Sequence, residues 1–392
     1  MLRSENRILT THAGSLPRTP ELLELLVRQS RRERVDPGAF ERAVEASTRH
    51  VIERQVASGV DVGNDGEQPR ESFFTYVQHR MTGFGGESDR PPTKDMAEFR
   101  GSSTRAAAEF GTLEAVSLAR PRRAIGAIQY ADREPLDQEI RDYRRLLAEQ
   151  PAPFPESFMT APSPGIIAAA MTNDHYATFE EYIRAVAEAL RVEYEAIAAQ
   201  GYVLQIDAPD LARERHCLFA ERPLRDFLEF VELTIDAINR SLANVPPDRA
   251  RLHVCWGNYE GPHIYDVPLE DILPLLYQAN VGGIVLPFAN PRHAHEYRVF
   301  ERLPLPDDWL LVAGVIDTTT NYVEHPEVVA ERLENVTRVL GDPTRVLGGT
   351  DCGFDTSAGY GWVLEGVVWE KLKALRAGAD LASQRIFGKS RS

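Results

Sequence analysis

Cysteine is scarce in this chain of 392 residues, which contains only Cys217, Cys255 and Cys352, set far apart. Cysteines so few and so widely separated are not typical of the disulfide framework that holds small secreted domains together. We therefore expect free thiols and a reducing, cytoplasmic setting.

Long apolar runs are also missing. No stretch approaches the roughly 20 apolar residues that a membrane helix needs, and the start "MLRSENRILTTHAG" lacks the features of a signal peptide. The formal net charge of −15 argues against nucleic acid or an anionic membrane as a partner. Internal repeats, low-complexity tracts and dividing linkers are absent too, so we expect one domain over 1–392.

Eight short apolar segments recur along the chain, most of them separated by stretches with helical periodicity. The predicted strands cover 8–14, 59–65, 157–163, 202–208, 251–257, 282–288, 310–316 and 345–351. Eight such βα units predict an α/β fold of the (β/α)8 TIM-barrel type. An open doubly wound sheet is the alternative, but no glycine-rich dinucleotide fingerprint follows the first strand.

The clearest helix follows Thr178, which forms a capping-box pattern with Glu181, and it ends before Gly201. A second predicted helix ends before Gly341. The stretch 85–150 fits neither strand nor helix periodicity well, and it contains the apolar segment "AIGAIQY" (124–130). We interpret 85–150 as an insertion into the barrel that includes a hairpin.

Polar residues follow the ends of the predicted strands, where a barrel gathers them around one mouth and where catalytic residues lie. These residues are Ser15, Arg18, Asp65, Glu67, Asp207, Asp210, His253, Cys255, Asp317, Asp351 and Cys352.

A metal site is one hypothesis for part of this group. His253 and Cys255 are two residues apart on a predicted strand, so they point to the same face. Alone they are a weak signal, because cysteine is common in protein cores. Cys352 ends a later strand, and one imidazole with two thiolates suits zinc and leaves a position open for a substrate. For Cys217 beside His216, and for His293 and His295, we expect no metal role.

Several motifs together resemble the cobalamin-independent methionine synthase family, over nearly the whole chain. "HVCWGNY" (253–259) with the later "DCG" (351–353) resembles the zinc site of its catalytic barrel. "THAGSLPRTPEL" (11–22) is similar to its first strand and substrate loop, "GVDVGNDGE" (59–67) to its second strand and "LQIDAPDL" (204–211) to its fourth. The chain has room for one barrel, as in single-barrel members, and is also similar to epoxyalkane:coenzyme M transferase.

The resemblance implies a role for each matching residue. His253, Cys255 and Cys352 match zinc ligands, so Zn²⁺ is the expected cofactor. Glu67 and Asp207 match acids that hold the amino group of homocysteine, and Gly14 and Ser15 match the loop that meets its carboxylate. Arg18, in the same loop, is a further candidate for substrate binding. Asp317 and Asp207 are the candidate catalytic residues.

Three departures from the family pattern concern its folate chemistry. Pro287 stands where the family has a glutamate as fourth zinc ligand, and Thr319 stands where it has a catalytic histidine. The tryptophan that stacks on the folate ring has no counterpart in "TAPSPGIIAAA" (160–170).

The expected function is zinc-dependent transfer of a methyl or alkyl group onto a small thiol, homocysteine or a similar acceptor, from an unidentified donor. Addition of a thiol to an epoxide is an alternative. Zinc hydrolase or lyase activity, or non-catalytic thiol binding by the barrel, are alternatives of other classes.

Overall fold

The structure, a computed structural model, describes residues 1–99, 115, 116, 118 and 120–388. Its strands in chain order are β1 (Leu9–Thr10), β2 (Val62–Gly63), β3 (Phe84–Gly85), β4 (Arg123–Ala124), β5 (Glu156–Pro162), β6 (Val203–Asp207), β7 (Ala250–His253), β8 (Gly283–Pro287), β9 (Leu310–Ile316) and β10 (Val346–Thr350).

The helices surround these strands, and short 3₁₀ turns lie at Thr75–His79, Glu214–His216, Pro247–Arg249, Glu296–Glu301 and Pro343–Arg345. The α-helices are α1 (Pro20–Ser30), α2 (Pro37–Ala57), α3 (Lys94–Glu98), α4 (Glu134–Ala148), α5 (Pro164–Ala170), α6 (Phe179–Ala198), α7 (Asp210–Arg213), α8 (Leu224–Ser241), α9 (Leu269–Leu276), α10 (Pro326–Leu340) and α11 (Glu365–Ile386). Within the described residues, every helix is too short or too polar to cross a bilayer.

Eight of the strands form one parallel sheet in the order β1-β10-β9-β8-β7-β6-β5-β2. A parallel bridge between Thr11 and Val62 joins the two edges of this sheet. The sheet is therefore a barrel in which each strand neighbours the next one along the chain, and the predicted TIM-barrel fold is confirmed. All eight predicted strands are present, although β1 and β2 are only two residues long.

The predicted cap of α6 is present in a modified form. The Thr178 side chain accepts a hydrogen bond from the Glu181 N–H at 3.1 Å, and the Glu181 carboxylate accepts from the N–H of Ala177 at 3.1 Å instead of that of Thr178. At the end of α10, Gly341 has φ of +76° and ends the helix as predicted.

The hydrophobic core of the described residues leaves one end of the barrel for the site. Its largest part lies between the strands and the helices, and a small cluster packs on α1 around Leu22, Leu26 and Val27. A further cluster fills the barrel interior, and its members are Leu9, Val62, Phe158, Val203, Val285, Leu310, Val312 and Leu347. Because these side chains come mostly from the first half of each strand, the polar strand ends remain free to line the opposite mouth.

In the stretch predicted as an insertion, β3 and β4 form an antiparallel pair, with Phe84 opposite Ala124. The predicted strand over 124–130 is limited to its first residue in this pair. Helix α4 also falls within 85–150, and it packs against α2 with Leu136, Ile140 and Tyr143 buried. Residues 100–114, 117 and 119 of this stretch lie outside the described residues, so its identity as an insertion stays a prediction.

A buried ion network ties α4 to the loop that follows β2. Glu139 of α4 accepts hydrogen bonds from Arg70 Nε at 2.8 Å and from Arg80 at 2.6 Å. Arg70 also donates to the backbone carbonyl and the hydroxyl of Thr160, at 2.9 Å each. Each of these charged side chains is at most 6% exposed, so a missing partner would leave a charge in a dry environment.

We expect Glu139→Gln to lower the free energy of unfolding by about 3–5 kcal/mol, because Arg70 loses its carboxylate partner and Arg80 keeps only its ion pair with Glu193. The matched control on the same helix is Glu134→Gln, which removes an exposed ion pair with Arg141 and should cost no more than about 1 kcal/mol. Denaturant unfolding of both variants measures the difference, and equal stabilities would contradict a structural role for the network.

Candidate metal centre

Barrel closure brings His253 and Cys255 together with Cys352, which lies 97 residues after Cys255. We call these three residues the rim group, and the place where they converge the rim site. His253 is the last residue of β7, Cys255 follows two residues later, and Cys352 follows β10. The two sulfur atoms are 3.9 Å apart, and one ligand atom from each of the three residues lies within 4.8 Å of the others. All three side chains are buried.

The orientation of His253 is set by Asp207. Strands β6 and β7 pair so that Asp207 lies opposite His253, and His253 Nδ1 is 2.9 Å from Asp207 Oδ1. With Nδ1–H donating to this carboxylate, the lone pair on Nε2 is available to a metal. Carboxylate-to-histidine contacts of this kind orient metal ligands in many proteins.

The charges within this group favour a thiolate. A hydrogen bond from Cys352, together with His253, lowers the pKa of Cys255 well below the ordinary thiol value. Burial opposes the charge on His253, but its hydrogen bonds to Asp207 and Cys255 raise its pKa to about 10. These shifts describe the group without an ion, in which an imidazolium faces a thiolate. A bound ion would displace the ring proton and the remaining thiol proton, and two thiolates with a neutral imidazole are a donor set that zinc prefers, so the residues present fit this ion.

Cys352 is held in place by contacts of the two residues before it, Thr350 and Asp351. The Asp351 carboxylate accepts hydrogen bonds from the backbone N–H groups of Phe288, Ala289 and Asn290 at 2.7–3.1 Å. The Thr350 hydroxyl donates to the Cys352 carbonyl at 2.8 Å. Asp351 is thus a positioning residue between the loops after β8 and β10, a role that its place at a strand end did not reveal.

Glu67 lies in the same cavity as the metal group. Its backbone has φ of +58°, unusual for a residue with a side chain. Its Oε1 accepts from the Thr160 hydroxyl at 2.8 Å, while Oε2 is buried without a hydrogen-bond partner. Burial and the nearby charge of Asp207 raise the pKa of Glu67 to about 8. A cationic group bound beside it would restore the ionised form.

The loop after β1 approaches Glu67 closely. Gly14 has φ of +128°, and a Cβ there would lie 2.7 Å from Glu67 Oε1, so only glycine fits. Ser15 lines the cavity next to Gly353. Arg18 is placed differently from the expectation: its two terminal nitrogens donate to Asp355 and to the carbonyls of Glu67 and Arg70, and it does not line the cavity.

Other strand-end residues serve the loops instead of the cavity. Asp65 accepts from the Glu67 N–H at 3.0 Å, and Asp210 accepts from the Ser163 hydroxyl at 2.6 Å. Asp317 accepts from the backbone N–H and the hydroxyl of Thr319, at 2.6 and 2.9 Å. Asp317 and Thr319 border a smaller cavity, which shares Cys255 and Cys352 with the main one and also reaches Pro287.

The main cavity has a volume of about 670 Å³, and most of its far wall was not identified from the sequence. Besides the residues already described, its wall includes Phe73, Arg90, Met96, Val116, Leu118, Ile166, Arg213, Asn258, Tyr259, Tyr360 and Trp362. Arg90 and Arg213 both contact the buried Glu214. Trp362, which donates to the Asn258 carbonyl at 3.0 Å, supplies an aromatic surface to the cavity wall, although no tryptophan follows β5. Of this set, only Ile166, Asn258 and Tyr259 fall in a quoted stretch of the sequence.

Comparison with known proteins agrees with the motifs. No protein-family model matches the chain. The chain is 24% identical over 347 residues to the methionine synthase of Sulfolobus acidocaldarius, covering 88% of this chain and 85% of that protein. It is 26% identical over 243 residues to 2-hydroxypropyl-CoM lyase of Xanthobacter autotrophicus, covering 55% and 58% of the two chains.

A solved structure shares the fold. The chain matches a B12-independent methionine synthase from Shewanella sp. W3-18-1 in complex with selenomethionine, with a TM-score of 0.75 and 19% identity over 97% of this chain and 99% of that one. The predicted relationship to cobalamin-independent methionine synthases, and to a coenzyme M enzyme, is confirmed at the level of homology and fold.

We expect the wild-type protein to bind zinc at the rim site, and we expect Cys255→Ser and Cys352→Ser to lose most of it, because each removes an expected sulfur ligand. Cys217→Ser is the matched control, since Cys217 is a buried cysteine whose thiol donates to the Pro91 carbonyl, outside the rim group. Metal analysis after gel filtration measures the content. Full retention by both rim variants would contradict the assignment of this site.

Proposed function

We propose that this protein is a zinc-dependent methyl or alkyl transferase that alkylates a small thiol, in the manner of methionine synthase. The observation that carries the proposal is the cavity shared by His253, Cys255 and Cys352 with Glu67 and Asp207. One cavity thus offers a thiol-binding metal set and carboxylates for an amine. The homology to methionine synthases supports this reading.

Zinc held by His253, Cys255 and Cys352 would lower the pKa of an acceptor thiol, so that a thiolate exists near neutral pH. Asp207 keeps the His253 ring in its binding orientation. The overall change forms a bond from sulfur to the transferred carbon and breaks the bond from that carbon to the donor, which leaves with the electron pair. The thiolates proposed here need a reducing compartment such as the cytoplasm.

The acceptor is proposed to be an amino-acid thiol such as homocysteine. Glu67 Oε2 is buried without a hydrogen-bond partner, and an ammonium group is the ligand that would satisfy such an oxygen most strongly. We propose that Ser15, which lines the same cavity, and the backbone after Gly14 meet the carboxylate of the same molecule. Because Asp207 also contacts His253, a substitution there would disturb the metal site as well as the proposed amine site. Glu67 therefore gives the cleaner test of amine recognition.

The donor is proposed to need less proton assistance than methyltetrahydrofolate. That donor leaves as a strongly basic nitrogen anion unless it is protonated, and Thr319 is far too weak an acid for the task. A sulfonium, a methylated cobalamin or an activated ether would need less help. An epoxide keeps its oxygen in the product, and another acid at the barrel mouth would have to protonate that oxygen as the ring opens. Since a relative is a 2-hydroxypropyl-CoM lyase, addition of a thiol to an epoxide is the second candidate.

We expect Glu67→Gln to weaken homocysteine binding about 10–100-fold, the range for losing a charge-assisted hydrogen bond of about 1.5–3 kcal/mol. The control ligand is 4-mercaptobutanoate, which is homocysteine without its amine and should lose little affinity. Titration calorimetry on zinc-loaded protein measures both dissociation constants without any donor. Equal losses for both thiols would show that Glu67 does not recognise an amine.

We expect slow or absent turnover with methyltetrahydrofolate and homocysteine, and faster turnover with S-methylmethionine as a sulfonium donor. Thr319→His should raise the turnover rate with methyltetrahydrofolate, because it restores a general acid. A general acid contributes a factor of roughly 10²–10⁴ in rate, which is the upper range for the gain. Thr318→Val, at the neighbouring position, is the control and should bring no gain. If the wild-type protein turns over methyltetrahydrofolate faster than the sulfonium, this view of the donor is wrong.

A further inference from the structure

Three histidines and one aspartate form a second buried group beside the rim site, which we call the histidine cluster: His216, His263, Asp266 and His293. His216 lies in the turn after α7, His263 and Asp266 in the loop after β7, and His293 in the loop after β8. Their side chains are at most 5% exposed. The sequence predicted no metal role for His216 or His293.

Asp266 is the centre of the cluster. Its Oδ2 lies 2.9 Å from His263 Nδ1 and 2.7 Å from His293 Nε2, and its Oδ1 lies 3.0 Å from His216 Nδ1. One ligand atom from each of His263, Asp266 and His293 lies within 4.8 Å of the other two. Three imidazole nitrogens therefore converge on one carboxylate.

The outer nitrogens of two of these rings have acceptors of their own. His263 Nε2 lies 3.1 Å from the Tyr259 carbonyl oxygen, and His293 Nδ1 lies 2.8 Å from Glu296 Oε2. Both acceptors require an N–H on the outer nitrogen, so the neutral tautomer of each ring directs a lone pair toward Asp266. Metal-binding histidines are held by carbonyl and carboxylate groups in the same way.

Protons alone account for part of the cluster. If His263 and His293 were both imidazolium, their inner N–H groups would donate to Asp266 Oδ2. His216 is then left over: it is fully buried, and although its Nδ1 lies 3.0 Å from Asp266 Oδ1, the two atoms do not have hydrogen-bond geometry. Both ring nitrogens and Oδ1 therefore lack a hydrogen-bond partner. Buried polar atoms without partners need a further ligand, and an ion bound to both His216 and Asp266 would supply it.

We propose that His216, His263, His293 and Asp266 bind a second divalent transition-metal ion, with zinc as the test ion, separate from the rim site. Neutral imidazoles with one carboxylate are a suitable donor set for zinc. The Glu296 carboxylate behind His293 adds a second negative charge to balance the ion. Bonds of about 2.0–2.1 Å to a tetrahedral ion require ligand atoms about 3.3 Å apart. The contacts from Asp266 to the three rings are 2.7–3.0 Å long, so these distances must increase by a few tenths of an ångström.

Such an ion would fix the wall of the main cavity. The His293 ring stacks on Trp256, next to Cys255, with centroids 4.0 Å apart and planes at 19°. The His263 ring stacks on Tyr259, which lines the cavity, at 4.3 Å. By fixing the His263 and His293 rings, the ion would also restrain Tyr259 and Trp256, and with them the segment that carries Cys255. This role does not depend on the proposed transferase activity.

Metal counting on the full chain tests the proposal. After incubation with Zn²⁺ and gel filtration, we expect about two zinc ions per wild-type chain. The Cys255→Ser/Cys352→Ser double variant should keep one, and Asp266→Asn should keep the other. His295→Gln is the control, because His295 is exposed and two residues from His293, and it should keep both.

A second variant covers the case in which Asp266→Asn does not fold. His216→Gln removes a ring that has no hydrogen bonds, so the remaining contacts of Asp266 stay intact, and circular dichroism checks the fold. In competition with a chromophoric chelator, its cluster-site affinity should fall at least about tenfold. Unchanged zinc content and affinity in both Asp266→Asn and His216→Gln would overturn the proposal.

Cobalt substitution separates the two sites. Co²⁺ in the rim site should give a sulfur-to-metal charge-transfer band, which Asp266→Asn retains. Co²⁺ in the Cys255→Ser/Cys352→Ser variant should give only the visible d–d bands of nitrogen and oxygen ligation. If that variant binds no Co²⁺, the histidine cluster holds no metal. A wild-type protein without the charge-transfer band would instead count against the rim site and the proposed function.

Discussion

Closure of the parallel barrel is the constraint on which the rest of this structure depends. The Thr11–Val62 bridge joins β1 to β2 and completes the ring. Since all strands run the same way, every polar strand end then faces one mouth. Glu67, Asp207, His253 and Cys352 come from four separate parts of the chain, yet they line one cavity. Without closure, none of the proposed chemistry would have a site.

The mouth carries charges that are costly to bury, and neighbouring contacts offset part of that cost. Glu67 has an unpaired oxygen and an unusual backbone conformation. Behind it, the Thr160 hydroxyl donates to Glu67 and accepts from Arg70, which is in turn paired with Glu139. This chain of contacts connects the strained residue to a helix on the outside of the barrel. Glu67, whose Oε2 has no hydrogen-bond partner, is thus anchored through its other oxygen to a network of buried charges that extends to α4.

The segment after β7 has an unusual concentration of functional side chains. Within a few residues it supplies Cys255 to the rim group, Tyr259 to the cavity wall and His263 to the histidine cluster. Trp256 and Tyr259 stack on the cluster rings, so the rim group and the cluster are mechanically linked through aromatic contacts. The far wall of the same cavity carries Trp362 and the two arginines that contact Glu214, which are Arg90 and Arg213.

The barrel, its eight strands, the Thr178 cap of α6 and the residues at the strand ends could all be predicted from the sequence. These follow from local periodicity, which fixes where an element begins and which face a side chain takes. The motifs around His253 and Cys352 also predicted the relationship that the comparisons confirm. Which of the strand-end residues contact one another could be seen only in the folded structure. It pairs Asp207 with His253, turns Arg18 away from the cavity, and joins His216, His263 and His293 around Asp266. Such contacts depend on strand register and loop path, and no local pattern encodes the distance between side chains dozens of residues apart.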